Sequence, residues 1–351
     1  MSPNIIELLD ATFRPDGVYL DTPTYGLPSD AVIANMSDAL ARWQTGRATM
    51  AEYDDAVTSS RELLASILGV RPDRVAVANQ ASVLVGVVAA ALPDGSTVLV
   101  PEGDFTSLLF PFLVQQHRGV TVRECPRDAI VESIDASVDL VAFSLVQSSD
   151  GAILDADRIT DAARSAEARI LVDATQAAGW LPFDANRFDI TVISAYKWLL
   201  CPRGTAFMVF GPNQDLDLPA VYAGWYAGED PWKSVYGSPL RLAESARRFD
   251  VSPAWFSWIG SVPSLELIAG RGVDSIYRHN RSLVTEVRKR LGLPASPSSI
   301  VTVPLTDTAA LAAQGIACSK RAGAVRVGFH FYNTTGDVDR LVAAVTHQPT
   351  Q

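Results

Sequence analysis

From about Asp30 to Val209, short β-prone apolar runs alternate with helical segments, and this alternation restricts the chain more than any other feature. Such strand–helix units bury both faces of a sheet by crossing over it, so the expected fold class is α/β with a mostly parallel sheet. Helices are expected over residues 30–43, 50–68, 81–91 and 157–166. Strands are expected over 75–78, 97–100, 121–124, 140–144, 170–173, 190–194 and 206–210, seven for one sheet. After Phe210 the pattern dissolves into Gly, Pro, Trp and Tyr, as in a long functional loop or a crossing between domains. A boundary near residue 240 then separates a large domain, 15–240, from a smaller α+β domain, 241–351 together with 1–14. The smaller one is expected to hold helices over 254–270, 273–291 and 337–345, with strands near Ile300 and Val325.

Two of the apolar runs end in polar chemistry. Arg169-Ile170-Leu171-Val172-Asp173 is followed by Ala174-Thr175-Gln176, and Ile190-Thr191-Val192-Ile193-Ser194 by Ala195-Tyr196-Lys197. In open α/β sheets ligands sit at the carboxyl ends of strands. A lysine there can form a Schiff base, and a nearby carboxylate can keep a pyridine nitrogen protonated, which is the chemistry of pyridoxal 5'-phosphate. Asp173 alone could equally cap a loop, and a lone lysine after a strand is ordinarily a solvated charge. Ser194 and Tyr196 beside Lys197 alter that expectation, because both can donate to a phosphate.

Three further segments belong to the same picture. In Ala78-Asn79-Gln80-Ala81-Ser82, between a strand and a helix, backbone N–H groups and the Ser82 hydroxyl can face an anion, although serine there also serves as a simple cap. Phe105 follows the next strand and can stack on a ring or fill the core. Arg326, inside the apolar strand near Val325, suits a substrate carboxylate or an internal salt bridge.

Composition removes other classes. The hydrophobic share of 48% and charged share of 19% suit a folded globular protein, and a net charge of -10 without a basic cluster argues against nucleic acid. Neither a secretory signal nor an apolar stretch of spanning length is read, so a cytoplasmic protein without membrane attachment is expected. Three cysteines and four histidines lack ligand spacing, so no metal is expected. A Gly-x-Gly-x-x-Gly turn is also missing, which argues against a nicotinamide-dependent dehydrogenase.

Taken together, Val172-Asp173-Ala174-Thr175-Gln176, Ser194-Ala195-Tyr196-Lys197 and Val325-Arg326 through Tyr332-Asn333 resemble the class V aminotransferase family of fold-type-I pyridoxal-phosphate enzymes. That family includes cysteine desulfurases, kynureninases and isopenicillin N epimerase-like proteins, and the likeness runs from about Tyr19 to Val345. It implies Lys197 as the Schiff-base lysine, Asp173 at the pyridine nitrogen and Gln176 at the ring oxygen. Cofactor contacts are implied for Ala81, Ser82, Phe105, Ser194, Tyr196 and Trp225, and substrate contacts for Arg326, Tyr25 and Trp225. It further implies a homodimer with sites at the interface, where Ser252 reaches the partner's phosphate, although the family's Gly-Thr-Pro is Val251-Ser252-Pro253 here. Cys318 does not stand where a desulfurase presents its reactive cysteine.

The expected activity on an amino acid is therefore removal of the α-proton by Lys197. The favoured outcome is lyase chemistry at the β-carbon, because Tyr196, Phe105 and Trp225 resemble kynureninase-like members. Amino transfer or epimerisation through the same lysine is the alternative.

Overall fold

The computed structural model describes residues 13–305 and 307–346. A two-residue strand β1 (Val18–Tyr19) precedes helices α1 (Asp30–Gln44) and α2 (Met50–Leu68). The alternating region then runs β2 (Val75–Ala78), α3 (Ala81–Ala91), β3 (Thr97–Pro101), α4 (Thr106–Leu113), β4 (Thr121–Cys125), β5 (Leu140–Ser144), α5 (Ala156–Ser165), β6 (Arg169–Asp173), β7 (Ile190–Ser194) and β8 (Ala206–Phe210). Beyond the loop follow α6 (Trp255–Arg271), α7 (Val273–Arg290), β9 (Ile300–Val303), α8 (Ala309–Ala312), β10 (Ile316–Ala317), β11 (Ser319–Arg321), β12 (Ala324–Gly328) and α9 (Thr335–Thr346).

Strands β2 to β8 form one seven-stranded sheet in the order β2-β8-β7-β6-β5-β3-β4. The five from β3 to β7 run parallel, whereas β8 is antiparallel to both β7 and β2. Residues 195–205, which link β7 to β8, hold no helix, and a parallel return needs a longer crossover. Both faces of the sheet are covered. Val77, Leu99, Val141, Phe143, Val172 and Phe207 face one buried cluster. Ala76, Val98, Val100, Ala142, Leu171 and Met208 alternate into the other, with α3 and α4. This two-sided burial is why the strands read as continuous apolar runs.

Local signals set the helix ends. Thr49 and Glu52 form a capping box at the start of α2, and Gly69 ends it in the left-handed conformation at φ 64°. Helix α4 is absent from the sequence reading because Pro111 lies inside it and reads as a breaker. Helix α6 packs on α1 and α2, so the core beside the large sheet draws on residues beyond position 240. The strands β11-β12-β9 form a separate antiparallel sheet, and β1 pairs with β10. Among the described residues no helix is long and apolar enough to cross a membrane.

Candidate active site

Strand register brings the polar ends together. Ser144 pairs with Asp173, Asp173 with Val192, Ser194 with Ala206, and Ala206 with Ala78. The carboxyl ends of β2, β5, β6 and β7, with the start of β8, therefore share one rim of the sheet, where a cavity of about 320 Å³ opens. Ala81, Ser82, Phe105, Asp173, Gln176, Ser194, Tyr196 and Lys197 all line it. Segments read separately in the sequence thus meet in one place.

Lys197 is 6% exposed and its Nζ lies 5.2 Å from the centroid of the Phe105 ring. Burial lowers its pKa to about 8, with Asp173 acting against burial and Arg326, Arg321 and Arg203 acting with it. Asp173 is buried as well, and burial raises its pKa against hydrogen bonding from Thr175 and the charge of Lys197. Its Oδ1 accepts the Thr175 backbone N–H at 2.8 Å. The acid and the amine are both poised by desolvation, a pattern common at reaction centres.

Phe105 is 43% exposed, so it faces the cavity rather than filling the core. The segment carrying it is held by Asp104, a buried carboxylate that accepts the N–H groups of Phe105 at 2.6 Å and Ser144 at 2.8 Å, and the Gln147 amide at 3.0 Å. At the start of α3, Gln80 offers no side-chain cap, which leaves first-turn amides next to Ser82 for an anion. Arg203 also lines the cavity, with its guanidinium carbon 5.1 Å from the Tyr196 ring centroid.

Gln176 is more occupied than its sequence suggests. Its Nε2 donates to Pro23 O at 2.9 Å, and its Oε1 accepts from Trp198 Nε1 at 2.7 Å. One Nε2 hydrogen is left for a ligand. These bonds also tie residues 22–26 to the lysine segment, where Gly26 N donates to Tyr196 O at 2.9 Å. A Cβ on Gly26 would stand 2.2 Å from Lys197 O, so only glycine fits there.

Four other expected residues lie outside this cavity. Arg326 sits just behind it, 1% exposed, donating through Nη1 to the carbonyl of Ser148, a lining residue. A salt bridge is not its main tie, because Asp21 approaches only to 3.9 Å while Thr24 and Ser319 hydroxyls accept at 2.8 and 3.1 Å. Tyr25 is at the rim, 6.0 Å from Tyr196 between ring centroids. Trp225 packs on Tyr226 and Trp232 instead. Ser252 is exposed and does not line its own chain's cavity. The sequence reading did not single out Ser144, Ser148, Thr175 or Arg203, of which Thr175 and Arg203 carried a signal in lying close to Asp173 and Lys197.

The cavity fits pyridoxal phosphate on its own terms: an anion-seeking helix start, a buried carboxylate with no salt bridge among the described residues, and a buried amine of lowered basicity within one space. None of the cysteines Cys125, Cys201 or Cys318 lines it.

Comparison with known proteins agrees. The aminotransferase class-V family model matches residues 18–309. The isopenicillin N epimerase of Amycolatopsis lactamdurans is 30% identical over 337 residues, covering 82% of this chain and 83% of that protein. The apo structure of a cysteine desulfurase from Thermococcus onnurineus NA1 superposes with a TM-score of 0.85 at 18% identity, covering 97% of each chain. A mutant of C-DES with glycine covalently linked to its PLP cofactor also reaches 0.85, at 18% identity over 95% of this chain and 97% of that one. The chain belongs to the class-V aminotransferase family and is a pyridoxal-phosphate-dependent enzyme.

Proposed function

We propose that the protein deprotonates the α-carbon of an amino acid and returns the proton with inversion, as an epimerase. The observation that carries the first part is the buried Lys197 amine, 5.2 Å from the Phe105 ring centroid in the cavity that also holds Asp173. Epimerisation is preferred over the lyase outcome because the relative at 30% identity is an isopenicillin N epimerase.

Bound pyridoxal phosphate supplies an electron sink for the pair left on the α-carbon. Ser82, the first amides of α3, Ser194, Tyr196 and Arg203 would hold its phosphate, and Asp173, Phe105 and the free Gln176 hydrogen would hold its ring. Arg326 receives the substrate carboxylate, which orients the α-proton toward Lys197. Lys197 then takes that proton, a task its lowered basicity suits, and inversion requires a second donor to return a proton from the opposite face of the α-carbon.

The test follows an amino-acid panel in D2O with the loaded enzyme, by proton NMR for exchange at Cα and by chiral chromatography for configuration. Deuterium entering at Cα together with the opposite enantiomer is the expected result. A released β-fragment instead of inversion sinks the epimerase reading and favours the lyase one, which retains support from Phe105 and Tyr196, whereas keto acid formed in amounts equal to the enzyme, with the cofactor left in its amine form, favours amino transfer.

We further propose a homodimer. Ile33, Leu40 and Trp43 form an exposed apolar stripe along α1, 52%, 46% and 64% exposed, and Ser252 has a ligand role only toward a partner's phosphate. Light scattering should give twice the 37.7 kDa chain mass, and a monomer at micromolar concentration would contradict this.

A further inference from the structure

Thr24 stands between the two contacts that fasten residues 22–26 to the site, Pro23 O on Gln176 and Gly26 N on Tyr196 O, each 2.9 Å. Its Oγ1 accepts from Nη2 of Arg326 at 2.8 Å and from Nη2 of Arg321 at 3.1 Å. Two guanidinium groups thus crowd one neutral oxygen. Like charges this close repel, and a protein tolerates the arrangement more readily when an anion is to be received there.

Compensation within the chain is thin. Asp21 comes only to 3.9 Å from Arg326 and its buried Oδ1 has no hydrogen-bond partner, while Arg321, among the described residues, is bonded only to Thr24 Oγ1 and to the Lys320 carbonyl at 2.7 Å. Both arginines are close enough to lower the basicity of Lys197. The field behind the Ser148 wall of the cavity therefore favours negative charge beyond one α-carboxylate.

The two arginines lie at different depths. Arg326 is 1% exposed, behind Ser148, whereas Arg321 is exposed on the β11–β12 hairpin. Ser319, which pairs with Arg326 across the hairpin, shares a strand face with Arg321 two residues on. With one carboxylate seated at Arg326, Arg321, bonded to the same Thr24 Oγ1, is the neighbouring cation on the exposed side.

We propose that Arg321 is a specificity residue that selects amino acids bearing a second, distal carboxylate. This rests on the amino-acid reading above and adds the substrate class to it. Arg326 takes the inner carboxylate, Arg321 takes the outer one, and Thr24 spaces the two.

The test titrates glutarate and its monoamide, equal in length and unlike in charge, into the pyridoxal-phosphate-loaded protein by calorimetry. The intact enzyme should bind glutarate about tenfold more tightly. Arg321→Ala should weaken glutarate by about tenfold and the monoamide by less than twofold, with Arg321→Lys restoring part of the preference. No preference in the intact enzyme, or equal loss of both ligands in Arg321→Ala, overturns the proposal. Neither ligand carries an amine, so this outcome is independent of Lys197 chemistry, and the amino-acid reading stands or falls separately on the NMR experiment. Arg321 is exposed on a short hairpin, so its replacement leaves the fold intact.

Discussion

Replacing Lys197 with alanine is expected to lower turnover about 10,000-fold, the upper end for loss of a general acid–base group, and to end covalent attachment of the cofactor. Borohydride reduction of the wild-type enzyme should leave the pyridoxyl group on the Lys197 peptide, and reduction of the variant should leave none. The intact protein carries a further signature. With the Lys197 pKa near 8 rather than the usual lysine value, the neutral amine needed to attack the cofactor aldehyde grows as pH rises through 8. Capture of pyridoxal phosphate by the apoprotein, followed by absorbance, should therefore climb to a plateau above pH 8. Below it the rate should fall about tenfold per pH unit. A climb that continues to about pH 10 would mean that Lys197 is not desolvated as described, and near-normal turnover in the variant would remove it from the chemistry.

Asp173→Asn should separate holding the cofactor from using it. Asparagine keeps an oxygen for the Thr175 N–H, now 2.8 Å from Asp173 Oδ1, so the turn after β6 should persist. The lost charge is what keeps a ring nitrogen protonated, so deuterium exchange at Cα should slow by roughly 100- to 1,000-fold, as for removal of other preorganised electrostatic groups. Removing the carboxylate that raises the Lys197 pKa should also move the pH midpoint for cofactor capture lower. Exchange within tenfold of wild type, with cofactor bound, would deny Asp173 its role. A buried carboxylate that merely braced the turn would show no such loss.

The strands, and with them Asp173 and Lys197, were legible because their information is local. Continuous apolar runs mark two-sided burial, and each polar residue stands at the end of such a run. Helix α4 escaped notice for an equally local reason, the breaker signal of Pro111. The double engagement of Gln176 was invisible, since Pro23 lies 153 positions away in the chain.

Sequence by itself therefore determined the α/β sheet, the family likeness and the acid–amine pair, because hydrophobic period and strand-end chemistry are properties of neighbouring residues. Tertiary structure alone decided that Phe105 is exposed to the cavity, that Trp225 packs on Trp232 and does not line it, and that Arg321 and Arg326 converge on Thr24 from some 300 positions away. Convergence of that kind depends on how the sheet, the amino-terminal loop and the β11–β12 hairpin pack against one another, and no short-range pattern encodes it.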